Sequence, residues 1–135
     1  MGNFRNVYEV RSRNEKNVVL GEAVTGVNQI IAIKQADGEA YVATDAAGLV
    51  VAGINKEVGL EGETIVAHGG EWVLENDTVS AVSADDIGKI CYFKDSRTVT
   101  MSTGSHSLQV GMVLDVRSYG VKVDVGVNTA MTASA

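Results

Sequence analysis

Leu108-Gln109-Val110-Gly111-Met112-Val113-Leu114-Asp115-Val116 is followed, after Arg117-Ser118-Tyr119-Gly120, by Val121-Lys122-Val123-Asp124-Val125-Gly126-Val127. In the first half Leu108, Val110, Met112, Leu114 and Val116 recur at every second position, with Gln109, Gly111 and Asp115 between them. In the second half four valines alternate with Lys122, Asp124 and Gly126. A period of two puts the apolar set on one face of a half-buried strand. The break contains a glycine, so the two runs read as a β-hairpin. Asp115, Lys122 and Asp124 keep its outward face solvated.

The same style extends toward the N-terminus. Val27 to Lys34 is rich in Val and Ile, Gln35-Ala36-Asp37-Gly38 carries the Asp-Gly turn signal, and Glu39 to Thr44 returns as a partner strand. Asp45-Ala46-Ala47-Gly48 turns again before the apolar run Leu49 to Ile54. Thr64 to Ala67, Glu71 to Leu74, Thr78 to Val82, Lys89 to Phe93 and Thr98 to Met101 complete a set of short strands, with His68-Gly69-Gly70 read as a turn. Ser83-Ala84-Asp85-Asp86-Ile87-Gly88 reads as one helical turn: Ser83 is the N-cap, the acids suit its positive end, and Gly88 closes it. Turn signals every eight to twelve residues predict an all-β fold, a compact small β-barrel or β-sandwich of short antiparallel strands with one helical turn near residues 83–88. The 15 glycines and the absence of proline agree, because every backbone N–H stays available to a ladder.

The chain has 135 residues, enough for one domain with a proper core. Eleven basic and 17 acidic side chains give a net charge of −6, which argues against a general electrostatic grip on nucleic acid. The charge is uneven: residues 1–17 hold Arg5, Arg11, Arg13 and Lys16 against Glu9 and Glu15, so the remainder is strongly acidic. Two readings of that start stand side by side, a solvated first strand around Val7 to Val10 and an arm that reaches onto a partner. Residues 1–17 are read as a basic arm, 18–127 as the β-domain and 128–135, small and polar, as a flexible tail. No apolar run has the length of a membrane span, and Met1 to Arg13 has no apolar core of a signal peptide, so no membrane association is expected.

Chemistry-bearing motifs are sparse. His68 and His106 lie on separate segments without metalloprotease spacing, so no metal or cofactor is expected. Gly104-Ser105-His106-Ser107 sets serine beside histidine, but neighbours on a strand point to opposite faces. There is no nucleophile elbow and no phosphate-binding loop. Cys91 stands in the apolar run Ile90-Cys91-Tyr92-Phe93 and reads as a buried structural thiol. No catalytic residue is assigned and the chain is not expected to be an enzyme. What remains is a β-rich domain whose work is done by its surface.

The order of segments resembles a known family. Ile30-Ile31-Ala32-Ile33, Asp37-Gly38-Glu39-Ala40 and Ala46-Ala47-Gly48-Leu49-Val50-Val51-Ala52-Gly53-Ile54 are followed by Ala84-Asp85-Asp86-Ile87-Gly88-Lys89-Ile90-Cys91-Tyr92-Phe93, Thr98-Val99-Thr100 and the Val110 to Val123 hairpin. Over about residues 20–127 this is similar to the small capsid cement, or decoration, proteins of tailed bacteriophages. The resemblance implies a virion structural protein on the capsid exterior, made in the host cytoplasm during assembly. Its partners would be the major capsid protein and further copies of itself, a homotrimer before a homodimer, with no nucleic acid and no membrane. The expected capsid contacts are Arg5, Arg11 and Arg13 of the basic arm, with Phe4 and Tyr8 as apolar anchors. An alternative is a virion-displayed β-barrel module binding a carbohydrate or host surface through Trp72 or Tyr119. A third reading is a small hydrolase using His68 or His106 with a carboxylate.

Overall fold

The computed structural model describes residues 7–126 and 133–134, with backbone only at 11–14. Nine strands follow one another: β1 (Tyr8–Val19), β2 (Ile30–Lys34), β3 (Ala40–Val42), β4 (Leu49–Asn55), β5 (Thr64–Asn76), β6 (Ile90–Asp95), β7 (Thr98–Thr100), β8 (Gln109–Arg117) and β9 (Gly120–Val125). A 3-10 turn, Ala84–Asp86, precedes β6. The Asp86 carboxylate accepts from the Ser83 backbone N–H at 2.9 Å, and Gly88 follows at φ +89°. The fold is all-β, with a closed five-stranded barrel and outer strands.

The barrel runs β5-β7-β6-β8-β9 and back to β5. Most of its contacts are antiparallel, but β5 meets β7 in parallel, through Glu75 opposite Thr98 and Asn76 opposite Val99. β5 extends beyond the barrel. β1 pairs one edge of β5 from Thr64 to Val73, β4 pairs the other edge at Ala67 and His68, and β4 carries β2 and β3 outward. Alternation along β5 sends Trp72 and Leu74 into the barrel, where they meet Val113, Val121 and Val123. The buried Trp72 ring donates Nε1–H to the His68 carbonyl at 3.0 Å, so its polar edge is satisfied. A second cluster, with Val18, Leu20, Val24, Ile31, Ala52 and Ile65, lies under the outer strands.

Three local readings are corrected. Residues 68–70 do not turn: Thr64 to Asn76 is one strand of 13 residues. Gly69 and Gly70 sit opposite Arg13 and Ser12 of β1, and Gly70 also faces Val125 of β9. Ladders on both edges keep the glycine pair within the strand, with Gly70 at φ +100°, where isolated sequence would suggest a turn. Thr78 to Val82 is a loop rather than a strand. Asp77 accepts the N–H groups of Val79 and Ser80 as an Asx-type turn, and Asn76 exchanges two hydrogen bonds with the Val82 backbone. The hairpin Gln109–Val125 forms, but its register shifts between Val113 and Asp115. A second irregularity, at Val110 where β8 pairs β6, puts both Val110 and Val113 in the core and leaves Met112 and Leu114 half-buried.

Two glycines set strand spacing. A Cβ on Gly53 would fall 2.7 Å from the His68 backbone, where β4 meets β5, and φ there is +156°. A Cβ on Gly111 would fall 2.1 Å from the Asp124 carbonyl oxygen. Gly111→Ala must therefore push β8 away from β9 inside a closed sheet. The expected cost is at least about 1–3 kcal/mol, the usual range for overpacking a filled core. Urea unfolding followed by Trp72 fluorescence checks it; an unchanged midpoint would contradict the close approach.

Candidate contact surface

β1 carries most of the residues expected to touch a partner. Tyr8 opens the strand opposite Val73, Arg11 lies opposite Glu71 and Arg13 opposite Gly69. Phe4 and Arg5 lie outside the described residues, and for Arg11 and Arg13 the backbone alone is described. Register shifts between Glu9 and Arg11, and between Arg13 and Lys16, bend the strand. β1 gives one edge to β5; among the described residues no strand pairs its outer edge. A strand edge left unpaired presents N–H and C=O groups with which another strand can pair.

The first residues of β1 present apolar surface. Tyr8 is 39% exposed and Val10, the bulge residue, 46%. Tyr119, at the tip of the β8–β9 hairpin, is 56% exposed. Sequence reasoning placed Tyr8 and Tyr119 in different hypotheses, and the fold puts them side by side. Burial first, and then the charge and hydrogen bond of the Tyr119 phenol, hold the Tyr8 hydroxyl above its ordinary pKa. A tyrosine offers a wide apolar ring with little rotamer freedom to lose, which suits an exposed contact.

Around this pair the outer sheet face is interlaced with both signs of charge. Lys122 Nζ lies 3.8 Å from Glu71, and Arg117 Nε donates to Asp115 at 2.7 Å. Exposed pairs of this kind contribute little stability. They keep the face soluble and give it a defined pattern.

The remaining candidates take structural places. Trp72 is 1% exposed, which removes it as a stacking platform; only Tyr119 of that proposed pair reaches solvent. Each histidine has its own carboxylate. His68 Nδ1 lies 3.5 Å from Glu15 across the β1–β5 ladder, and His106 Nδ1 lies 3.2 Å from Asp45. Asp45 also accepts the N–H groups of Ser105 and His106, so it ties that loop to the turn before β4. Cys91 is fully buried, and burial pushes its thiol up to about 12, as for an inert packing residue. Among the described residues no group of three or more His, Cys, Asp or Glu side chains could hold a metal ion. At the other end of the chain Ser134 is buried; its Oγ donates to Ala46 and accepts from the Leu49 N–H.

Comparison of the chain with protein-family models, with curated proteins and with solved structures finds no match.

Asp77 connects the loop after β5 to β7 and sets a pH prediction. Its carboxylate accepts from the Val79 N–H, the Thr100 hydroxyl and the Ser80 N–H, and these bonds hold it below the ordinary 3.8. A lowered pKa contributes stability that is present above the unfolded value and is lost as pH falls through the folded one. Asp77→Asn should lower Tm at pH 7, and the difference from the parent should shrink as pH drops below about 4. Thermal melts across pH 2–7 check this; a pH-independent difference would contradict it.

Proposed function

We propose that the chain is a virion structural protein that binds the outer surface of a phage major capsid shell and stabilises it. One observation carries the reading: β1 runs for 12 residues with an unpaired outer edge among the described residues, beginning at the exposed Tyr8 beside Tyr119. An edge of that length can take a strand from a capsid subunit, with main-chain bonds supplying affinity and side-chain fit supplying selectivity. The order of segments over about residues 20–127, which resembles the cement proteins, supports the same reading.

The mechanism is thermodynamic linkage. A protein that binds the assembled shell and not the free subunit shifts the equilibrium toward the shell. Each contact is modest, and repetition over many copies gives the cohesion. The basic residues Arg5, Arg11 and Arg13 would meet acidic groups on the shell. In this reading the partners are the major capsid protein and further copies of the chain.

A second reading keeps one supporting observation. Tyr119 borders a groove of about 250 Å³ lined also by Glu75, Asn76 and Ser118, an aromatic ring among polar groups as in many sugar sites. The two readings separate in one experiment. Expanded and unexpanded shells are mixed with the full chain and sedimented. Saturable binding at a fixed ratio to the capsid subunit, with raised heat resistance of the shell, is expected. Tyr8→Ser/Tyr119→Ser should bind at least about tenfold more weakly, or about 1.4 kcal/mol. Absence of binding to either shell overturns the cement reading, and a Tyr119-dependent glycan titration then tests the second.

A further inference from the structure

We infer that the β4–β5 loop, Lys56 to Glu63, is a second docking surface, built for a basic partner surface with an apolar recess. Val58 is 54% exposed and Leu60 66%, and together they wall a shallow groove of about 340 Å³ with Val24 and Thr25. Two neighbouring apolar side chains around one groove form a contiguous patch, which marks a contact site more than an isolated exposed residue does.

The loop is fixed rather than loose. Gly59 and Val24 exchange both backbone hydrogen bonds, at 2.8 and 3.1 Å. Gly62 N–H donates to the Leu20 carbonyl at 2.8 Å, and Leu60 N–H donates to Glu63 Oε1 at 2.7 Å. Asn55 is fully buried, and its amide donates to the Glu57 carbonyl at 2.9 Å. Glu57 in turn accepts the Val66 N–H at 3.0 Å. The underside rests on the core: a Cβ on Gly59 would fall 2.8 Å from Leu20 and 3.1 Å from Ile65. With its inner face packed and its backbone bonded, the loop cannot turn Val58 and Leu60 inward. An apolar tip held rigidly outward is a preorganised contact, since little ordering entropy remains to be lost on binding.

Charge identifies the occupant. Glu57, Glu61 and Glu63 surround the two apolar residues. The loop's only cation, Lys56, is paired with Glu9. Among the described residues no cation lies within 4.0 Å of those three carboxylates. The matching surface carries Lys or Arg around an apolar socket. This surface is opposite in sign to the basic start of the chain, and it lies at the other end of β1. Val19 pairs with Thr64, just past the loop, whereas Tyr8 pairs with Val73. The stretch of β5 from Val73 to Thr64 separates the two surfaces by roughly 30 Å. Resting on the cement reading, the inference supplies what cohesion between subunits requires: two attachment points on one rigid body.

The test uses the full chain and two variants. Val58→Ser/Leu60→Ser changes only exposed side chains, and Glu61→Lys reverses a charge that makes no hydrogen bond to the loop backbone. Both should keep the parent Tm. On shells, the double variant should bind at least tenfold more weakly and raise shell heat resistance less than the parent, and Glu61→Lys should weaken binding most at low salt. Parent-like behaviour of both variants overturns the inference. The partner surface is also probed without shells, with an amphipathic Lys/Leu peptide and amide chemical shifts. Shifts confined to residues 24–25 and 57–64, and lost in Val58→Ser/Leu60→Ser, support the surface even where shells do not bind. Absent or scattered shifts overturn it independently of the cement reading.

Discussion

β5 is the constraint on which the remaining strands depend. Its last residues close the barrel against β7 and β9, and its first residues hold β1 on one edge and β4 on the other. Both hydrophobic clusters draw on it: Trp72 and Leu74 fill the barrel, and Ile65 and Ala67 cover the outer strands. A strand bonded along both edges has no freedom to bend or slip. Its alternation therefore decides which side chains of β1 and β9 face inward. Fixing this one segment fixes the barrel and the outer layer together, and it aligns β1 along the whole molecule.

That rigidity suits a protein that works by contact. Tyr8 and Tyr119 lie 111 residues apart in the chain, one in a strand and one in a hairpin turn, yet both are seated on the sheet around Val73. Val58 and Leu60 are presented by a loop bonded to Val24, Leu20 and Asn55. Neither surface needs to order itself before meeting a partner. A binder of this kind loses little conformational entropy on docking, and each contact retains more of its gross energy.

Much of the fold was legible because its signals are local. The Leu108–Val127 alternation, the Asp37-Gly38 turn and the Ser83–Gly88 capping pattern each report on neighbours within a few residues. The errors arose where distant contacts override local pattern. Gly69-Gly70 stays within the strand because two other strands bond to it, and nothing within that dipeptide encodes them. Val79 alternates correctly for a strand but is 83% exposed, because Asp77 and Asn76 take the backbone bonds a strand would need. Val113 enters the core through a bulge that period-two counting cannot contain. The contact surface was partly legible: Tyr8 was singled out, while its proximity to Tyr119 depends on the barrel closing. Val58 and Leu60 gave no signal, since apolar residues in sequence read as core until the fold exposes them.

The sharing of β5 also bears on how the chain is born. β1 is complete at Val19, but its partner arrives with Thr64–Asn76, and the barrel closes when β9 ends at Val125. The cluster under the outer strands draws on Val18 to Ala67, so it can form only once β5 has been made. On a ribosome β1 must wait as an open, strand-prone segment for Thr64–Asn76, and the barrel side of β5 waits longer, for β9. The acidic charge of the body, spread between β1 and β5 at Asp37, Glu39, Glu57 and Glu61, is then a safeguard for the nascent chain as much as for the folded one, because like charges keep neighbouring unfinished copies apart.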